Sequence, residues 1–182
     1  MLVEAKNLLI VTGDPRLPIG ANGFDVKRHR VDWGTSFKDE LGRLSDHIGS
    51  FNGDKVLAIG DAGALAVAGI LEHPDKNIRA VTLGSRLSSG THRDFPAVTT
   101  PVHDAVDWLR QHDSDLTPEM RGRIGVANLR KGEDHVPSHA RSLEGAVLLE
   151  IPHDAEGHEE GIRKVLTTAE YMEPITVFLE EK

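Results

Sequence analysis

The chain has 182 residues, of which 38% are hydrophobic and 27% are charged, and its formal net charge is −8. This profile is typical of a soluble globular protein, and the negative charge disfavours broad electrostatic binding to nucleic acid or to an anionic membrane. The sequence has no cysteine, which excludes disulfides, thiolate metal sites and a cysteine nucleophile. We expect a single domain over residues 1–182.

The N-terminus leads directly into an apolar run, without the basic segment or the small-residue cleavage site of a signal peptide. No apolar stretch reaches the roughly 18 residues that a membrane-spanning helix needs. The basic run at residues 27–30 is most simply a solvated strand end. These features predict a cytoplasmic protein that binds neither membranes nor nucleic acid.

Short apolar runs alternate with helical patterns along the chain, which is the signature of βαβ units around a mostly parallel sheet. Four of the predicted strands are nearly continuous apolar runs, as expected of strands that are covered by helices on both faces. The second strand carries charge instead and suits a sheet edge. The six predicted strands span residues 8–12, 24–31, 56–59, 78–83, 123–128 and 146–151.

Capping residues predict where the helices begin. Ser36 starts a capping-box-like sequence ahead of an apolar face formed by Phe37, Leu41, Leu44 and Ile48. Thr100 followed by proline predicts a second helix, and Ser138 caps a short helix that ends at Gly145.

Two more helices are predicted near the C-terminus. An apolar pattern over residues 162–169 marks a helix after Gly161. The break at Glu173-Pro174 ends it, so that a last helix begins at Pro174.

Residues 55–71 carry the most information, because an apolar strand breaks there at small residues and passes directly into an apolar helix. In a nucleophile elbow the reactive residue sits at such a bend, its neighbours two positions away are small, and the new helix offers N–H groups to an oxyanion. Gly60, Ala62, Gly63 and Ala64 meet this steric requirement. An ordinary βα turn, in which glycines let a helix approach a strand closely, explains the same pattern.

Three further segments carry a family resemblance. Residues 132–137 follow the fifth strand and resemble the acid loop of α/β hydrolases, with Asp134 ahead of a Val-Pro pair. Residues 151–158 follow the sixth strand and resemble the loop of the triad histidine, with Gly157-His158 as the match. Residues 80–90 resemble the equivalent piece of small lipases. The chain thus resembles compact, capless members of the α/β-hydrolase superfamily from about residue 8 to residue 179.

The resemblance implies an α/β three-layer sandwich with a mostly parallel six-stranded sheet in the strand order 2-1-3-4-5-6. It also implies that Asp134 orients His158, which activates water to clear a covalent intermediate. His153 is the rival for the histidine role. The implied oxyanion donors are the backbone N–H after the nucleophile and the loop Gly13-Asp14. The carboxylate of Asp14 would weaken oxyanion stabilisation unless it points away.

The departure from the family lies at the nucleophile, because neither of two possible alignments contains serine. In the first, Gly60 and Ala64 flank Ala62, which places a methyl group where serine belongs and makes Gly63 the next N–H donor. In the second, Ile59 and Gly63 flank Asp61, and the segment resembles the elbow of haloalkane dehalogenases, whose nucleophile is an aspartate. The tryptophan that follows that aspartate in dehalogenases is alanine here, so their substrate does not carry over.

Two other kinds of site, for a metal and for a nicotinamide cofactor, have weaker support in the sequence. The pairs His135 with His139 and His153 with His158 suggest a metal, but spacing alone is poor evidence and no HExxH pattern supports it, so we expect no metal. A nicotinamide cofactor would explain the glycines at residues 60–63 and a basic residue at Arg86, but the full GxGxxG motif is missing. We therefore expect no cofactor.

The sequence thus predicts a hydrolase-like protein, derived from enzymes that cleave small esters, thioesters or amides, without a serine or cysteine nucleophile. Two functions stay open. One is an active hydrolase that uses Asp61. The other is a non-catalytic protein that binds a small molecule or a partner in the inherited pocket.

Overall fold

The computed structural model describes residues 6–20, 23–88, 100–129, 143–151 and 158–181. Within these ranges six strands form one sheet, in the order β2-β1-β3-β4-β5-β6, and every neighbouring pair is parallel. This confirms the predicted fold class and strand order. The strands are β1 (Lys6–Thr12), β2 (Phe24–Arg30), β3 (Lys55–Ile59), β4 (Arg79–Leu83), β5 (Ile124–Leu129) and β6 (Val147–Ile151).

Helices cover both faces of the sheet. The described helices are α1 (Phe37–Ser50), α2 (Gly63–Leu71), α3 (Thr100–Gln111), α4 (Pro118–Gly122), α5 (His158–Thr167) and α6 (Ala169–Glu180). One apolar cluster joins the sheet to α1, α2 and α3, and a second cluster on the other face joins it to α5 and α6. None of the described helices combines the length and apolar character that crossing a membrane requires.

Helix α1 begins where its cap predicts. The Ser36 side chain accepts a hydrogen bond from the Asp39 backbone N–H at 3.1 Å, which satisfies one of the free donors of the first turn. Leu41, Leu44 and Ile48 are buried against the sheet. The apolar periodicity of this segment therefore identified its inner face correctly.

The C-terminal helices differ from the prediction. Helix α5 begins at His158, ahead of Gly161, and α6 begins at Ala169 with Pro174 inside it. Proline removes one backbone donor from a helix interior. Here the apolar face of α6 (Met172, Ile175, Phe178, Leu179) is buried against the sheet, and this packing outweighs the lost hydrogen bond. The short helix expected from Ser138 to Gly145 falls mostly outside the described residues.

The edge strand β2 is anchored to α1 through polar groups. His29, only 5% exposed, lies with Nε2 at 2.8 Å from Oε1 of the fully buried Glu40, and its Nδ1 lies 3.2 Å from Nδ1 of His47. Burial, and after it the neighbouring His29, lower the pKa of His47 from its ordinary value of 6.5. The predicted edge position of this charged strand is confirmed, and one of its histidines points inward.

Candidate functional site

A cleft of about 360 Å³ lies at the carboxyl ends of β1 and β3, beside the first turns of α5. Its volume falls within the range of small-molecule sites, and it occupies the end of a parallel sheet where ligands usually bind. Asp61, Ala62 and His158, which were predicted from the sequence, all line it. Gly13 and Asp14 from the predicted oxyanion loop form another part of its wall.

The sharp bend after β3 falls on Gly60, whose φ is +61°. This left-handed conformation is costly for a residue with a side chain, and Gly60 leads directly into a short 3₁₀ turn, Gly60–Ala62. The residues two positions away, Ala58 and Ala62, are small and each 1% exposed. The sharp turn between β3 and α2 is therefore centred on Gly60, one residue before Asp61 and two before Ala62, the two positions that the sequence predicted for a nucleophile.

Space is available at Gly60 for a side chain. Among the described residues, only the Ile162 Cδ1 atom comes within 4.0 Å of the position that a Cβ on Gly60 would take. Gly63, in contrast, allows no side chain, because its Cβ would lie 2.3 Å from Ser85. The predicted steric demand on Gly63 is thus explained by close packing of α2 on the segment after β4.

Asp61 is held by an ion pair. One of its carboxylate oxygens lies 3.0 Å from an Arg86 guanidinium nitrogen, and the Arg86 side chain is 6% exposed while that of Asp61 is 39% exposed. An attacking carboxylate needs a free lone pair, and a guanidinium at this distance stabilises the charge that would attack. The pair therefore disfavours Asp61 as a nucleophile. Arg86 was considered from the sequence only as a cofactor ligand, a different role.

In the loop after β1, the polar groups of Asp14 are already hydrogen-bonded to neighbouring residues. The Asp14 backbone N–H donates to the Thr12 side-chain oxygen at 3.1 Å, so it is not a free oxyanion donor. The Asp14 carboxylate accepts from the Arg16 N–H at 2.9 Å and lies 4.0 Å from Arg163. The hydrogen bond from the Arg16 backbone is the main cause that lowers the pKa of Asp14 below its ordinary value.

His158 occupies the first position of α5 and packs against the end of β4. Its Cε1 atom would lie 2.9 Å from a Cβ on Gly84, whose φ is +62°. His158 is also one of the residues that line the cleft. Asp134 and the rival His153 lie outside the described residues, so the pairing of Asp134 with His158 stays a prediction.

Trp33 is a cleft residue that the sequence reasoning missed. It follows β2 in the chain, lines the cleft, and packs so closely on Gly13 that a Cβ there would lie 3.0 Å from its Nε1. The available signal was an isolated tryptophan just after a charged edge strand. Among the described residues, no group of three or more His, Asp or Glu side chains is arranged to hold a metal ion.

No protein-family model and no curated protein sequence matches this chain. Solved structures do match. A structure of the metagenome-derived lipolytic enzymes LipS and LipT is 9% identical, with a TM-score of 0.60 over 97% of this chain and 94% of that one. A thioesterase domain from the curacin biosynthetic pathway is 12% identical, with a TM-score of 0.53 over 97% and 92%.

A third match is Rv0554 from Mycobacterium tuberculosis, at 14% identity and a TM-score of 0.51 over 85% of this chain and 83% of that one. At such low identity the likeness carries the fold and not the activity. It agrees with the parallel sheet and its strand order. The chain therefore has the α/β-hydrolase fold.

Proposed function

We propose that this protein binds a small molecule non-covalently in the cleft at Gly60 and does not form a covalent enzyme intermediate. The observation that supports the proposal is the left-handed φ of +61° at Gly60. On this proposal Gly60, which has no side chain, occupies the nucleophile position. Ala58 and Ala62 supply the small neighbours that this position requires. On this proposal, the pocket of a hydrolase for small esters, thioesters or amides has been kept while its nucleophile has been lost.

The surroundings of Gly60 support the same reading. Asp61, the next residue, is committed to Arg86 at 3.0 Å, and Ala62 offers only a methyl group. The Asp14 N–H, a donor that an oxyanion would need, is used by Thr12. A cleft in which the nucleophile and one oxyanion donor are both missing is better suited to holding a ligand than to acyl transfer.

The experiment is labelling with a fluorophosphonate probe, which needs an activated nucleophile. We expect no labelling of the wild-type protein and labelling of Gly60→Ser, because the hydroxyl would enter open space at the strained turn. Gly60→Ala is the matched control, since it introduces the same backbone strain without a hydroxyl. Labelled wild-type protein would overturn the proposal, and labelling of Ala62→Ser in place of Gly60→Ser would move the elbow to residue 62.

A second candidate is hydrolysis with Asp61 as the nucleophile. It is favoured by one observation, that Asp61 and His158 line the same cleft. This candidate predicts turnover of p-nitrophenyl acetate by the wild-type protein that Asp61→Asn abolishes. Our proposal predicts no such turnover in either protein.

A further inference from the structure

His29 and His47 face each other across the junction between β2 and α1. Their Nδ1 atoms lie 3.2 Å apart and their ring centroids 5.4 Å apart, so the two rings point at each other through these nitrogens. In a contact of this length one proton lies between the two nitrogens, because one ring donates it to the lone pair of the other. The two histidines therefore titrate as a coupled pair.

The far side of the His29 ring is fixed by a buried carboxylate. Nε2 of His29 lies 2.8 Å from one oxygen of Glu40, whose other oxygen lies 2.5 Å from Arg43. A carboxylate can only accept, so Nε2 of His29 carries a proton and Nδ1 of the neutral ring is the acceptor for His47. Nε2 of His47 is then left to take up a first proton without breaking either contact. We call the set His29, Glu40 and His47 the histidine clasp.

A second proton does not fit this arrangement. It would have to bind Nδ1 of His29, which would turn both facing nitrogens into donors, and two N–H groups cannot share a contact of 3.2 Å. Both rings would also be cationic in a partly buried place. Burial, and after it repulsion from His29, lower the pKa of His47 below its ordinary value. The doubly protonated pair must therefore separate.

The charged groups that face the pair among the described residues come from α1. Glu40 contacts His29 directly, and Arg43 reaches the pair only through Glu40. The β1 residue paired with His29 is Val11, and α2, which packs on α1, has no charged side chain. Because Arg43 already occupies one oxygen of Glu40, this carboxylate cannot offset two imidazolium charges.

The histidine clasp closes the base of a segment that lines the cleft. Residues 31–36 join β2 to α1, and Trp33 in this segment lines the cleft and packs against Gly13. The first residue of the segment, Val31, is bonded through its N–H to β1. Separation of the two histidines therefore acts on the α1 end of the segment, beyond Trp33.

We propose that the histidine clasp is a pH-sensitive device that sets the position of Trp33 in the cleft. At neutral pH the clasp is closed and Trp33 packs on Gly13. When both histidines are protonated the clasp opens, and Trp33 becomes more accessible to solvent. The ratio of open to closed clasp rises by at most about tenfold per pH unit, the limit for the uptake of one proton. This inference is independent of the proposed function, since it concerns the shape of the cleft and not what binds there.

The test uses the fluorescence of Trp33 in Trp108→Phe protein, in which Trp33 is the only tryptophan. Quenching by acrylamide is measured from pH 7.5 to 5.0, and the far-UV circular dichroism of the same samples is recorded. We expect quenching to increase reversibly as the pH falls below 6.5, while the circular dichroism stays native. His47→Gln in the same background should remove the increase, because a glutamine amide does not titrate and can either donate to His29 or accept from it.

Two further histidine variants are the controls. His73→Gln removes another half-buried histidine, bonded to Ser45 outside the clasp, and should leave the increase in quenching unchanged. His158→Gln tests the rival source of the signal, since His158 lines the same cleft as Trp33. An increase that disappears in His158→Gln and persists in His47→Gln overturns the inference.

Two results in the parent protein overturn it as well. One is constant quenching across the pH range. The other is loss of the native circular dichroism together with the rise in quenching, because acid would then unfold the whole protein. If His47→Gln does not fold, the ring ¹⁵N signals of the parent protein replace it. The second protonation of the His29–His47 pair must then occur at the midpoint of the quenching change, and a different pH for the two events refutes the clasp as its cause.

Discussion

The turns after β3 and β4 each contain a glycine with a left-handed φ, and the two glycines differ in what surrounds them. Gly60 and Gly84 have φ values of +61° and +62°. A Cβ on Gly60 would have the Ile162 Cδ1 atom at 4.0 Å as its nearest described neighbour, whereas a Cβ on Gly84 would lie 2.9 Å from His158. The comparison teaches that a side chain at residue 84 would have to displace the His158 ring as well as adopt a left-handed conformation, while glycine at residue 60 is required only by its backbone conformation.

The two turns are also joined to each other. Asp61 follows Gly60 directly, Arg86 comes two residues after Gly84, and their side chains form the 3.0 Å ion pair. The buried guanidinium therefore fixes the open turn to the packed one.

The largest effect is expected from filling the packed turn. Gly84→Ala introduces a Cβ that clashes with His158 and forces alanine into a left-handed conformation, so it should lower the free energy of unfolding by about 2–4 kcal/mol. Urea unfolding followed by circular dichroism measures this. Gly42→Ala in α1 is the control, because a Cβ there has open space and should be neutral or stabilising. A loss as small as that of Gly60→Ala would break the comparison.

Breaking the ion pair between Asp61 and Arg86 should have the next largest effect on the unfolding free energy. Asp61→Asn removes the carboxylate charge that lies 3.0 Å from the buried Arg86 guanidinium. Because the Asp61 side chain is 39% exposed and solvent screens the pair, we expect a loss of no more than about 1.5 kcal/mol in the free energy of unfolding. Asp107→Asn is the matched control, since its partner Arg110 is 59% exposed and such pairs contribute about 0–1 kcal/mol. Equal losses in the two variants would mean that the ion pair does not stabilise the turn.

Filling the open turn should be milder. Gly60→Ala meets no close described neighbour, so its cost is that of a left-handed alanine alone, about 1 kcal/mol. The same urea measurement applies. A loss that matches or exceeds that of Gly84→Ala would show that the space at residue 60 is filled by part of the protein.

The smallest expected effect is the change of the unfolding free energy with pH that His47 causes. The folded pKa of His47 is lowered by burial, so unfolding takes up protons, and this contribution to stability is present above about pH 6.5 and is lost as the pH falls. We expect the unfolding free energy to drop between pH 7.5 and 5.5, and to drop less in His47→Gln. An identical drop in both proteins would remove His47 as the cause. The glycine variants are best compared at pH 7.5.

The fold was predictable because the sequence patterns that indicate it are local and recur along the chain. Alternation of apolar runs with capped helices predicted the parallel sheet, and the charged sequence of β2 predicted its edge position. Pro174 was misleading, because its local penalty is outweighed by burial of the α6 face, and burial depends on the whole fold. Local rules therefore failed where tertiary packing decides.

The site was predictable only in part. The sequence identified the segment around Gly60 to Gly63 but not which residue adopts the left-handed conformation, since several small residues fit the pattern. Trp33 was missed because the only signal, a tryptophan after an edge strand, does not show that it reaches the cleft from a loop separate from the residues around Gly60. The Asp61–Arg86 pair was missed for the same reason, since it joins residues that follow two separate strands, β3 and β4.

The parallel pairing of all the described strands has a consequence for how the chain folds. Parallel neighbours cannot be joined by a tight hairpin, so each pair must close a long crossover before its first interstrand hydrogen bond forms. Such non-local closure slows folding, and during it the apolar strands β3 and β4 are exposed to other chains. Refolding should therefore be slow and its yield should fall with protein concentration, even though the finished sheet buries all but the first residue of each of these strands.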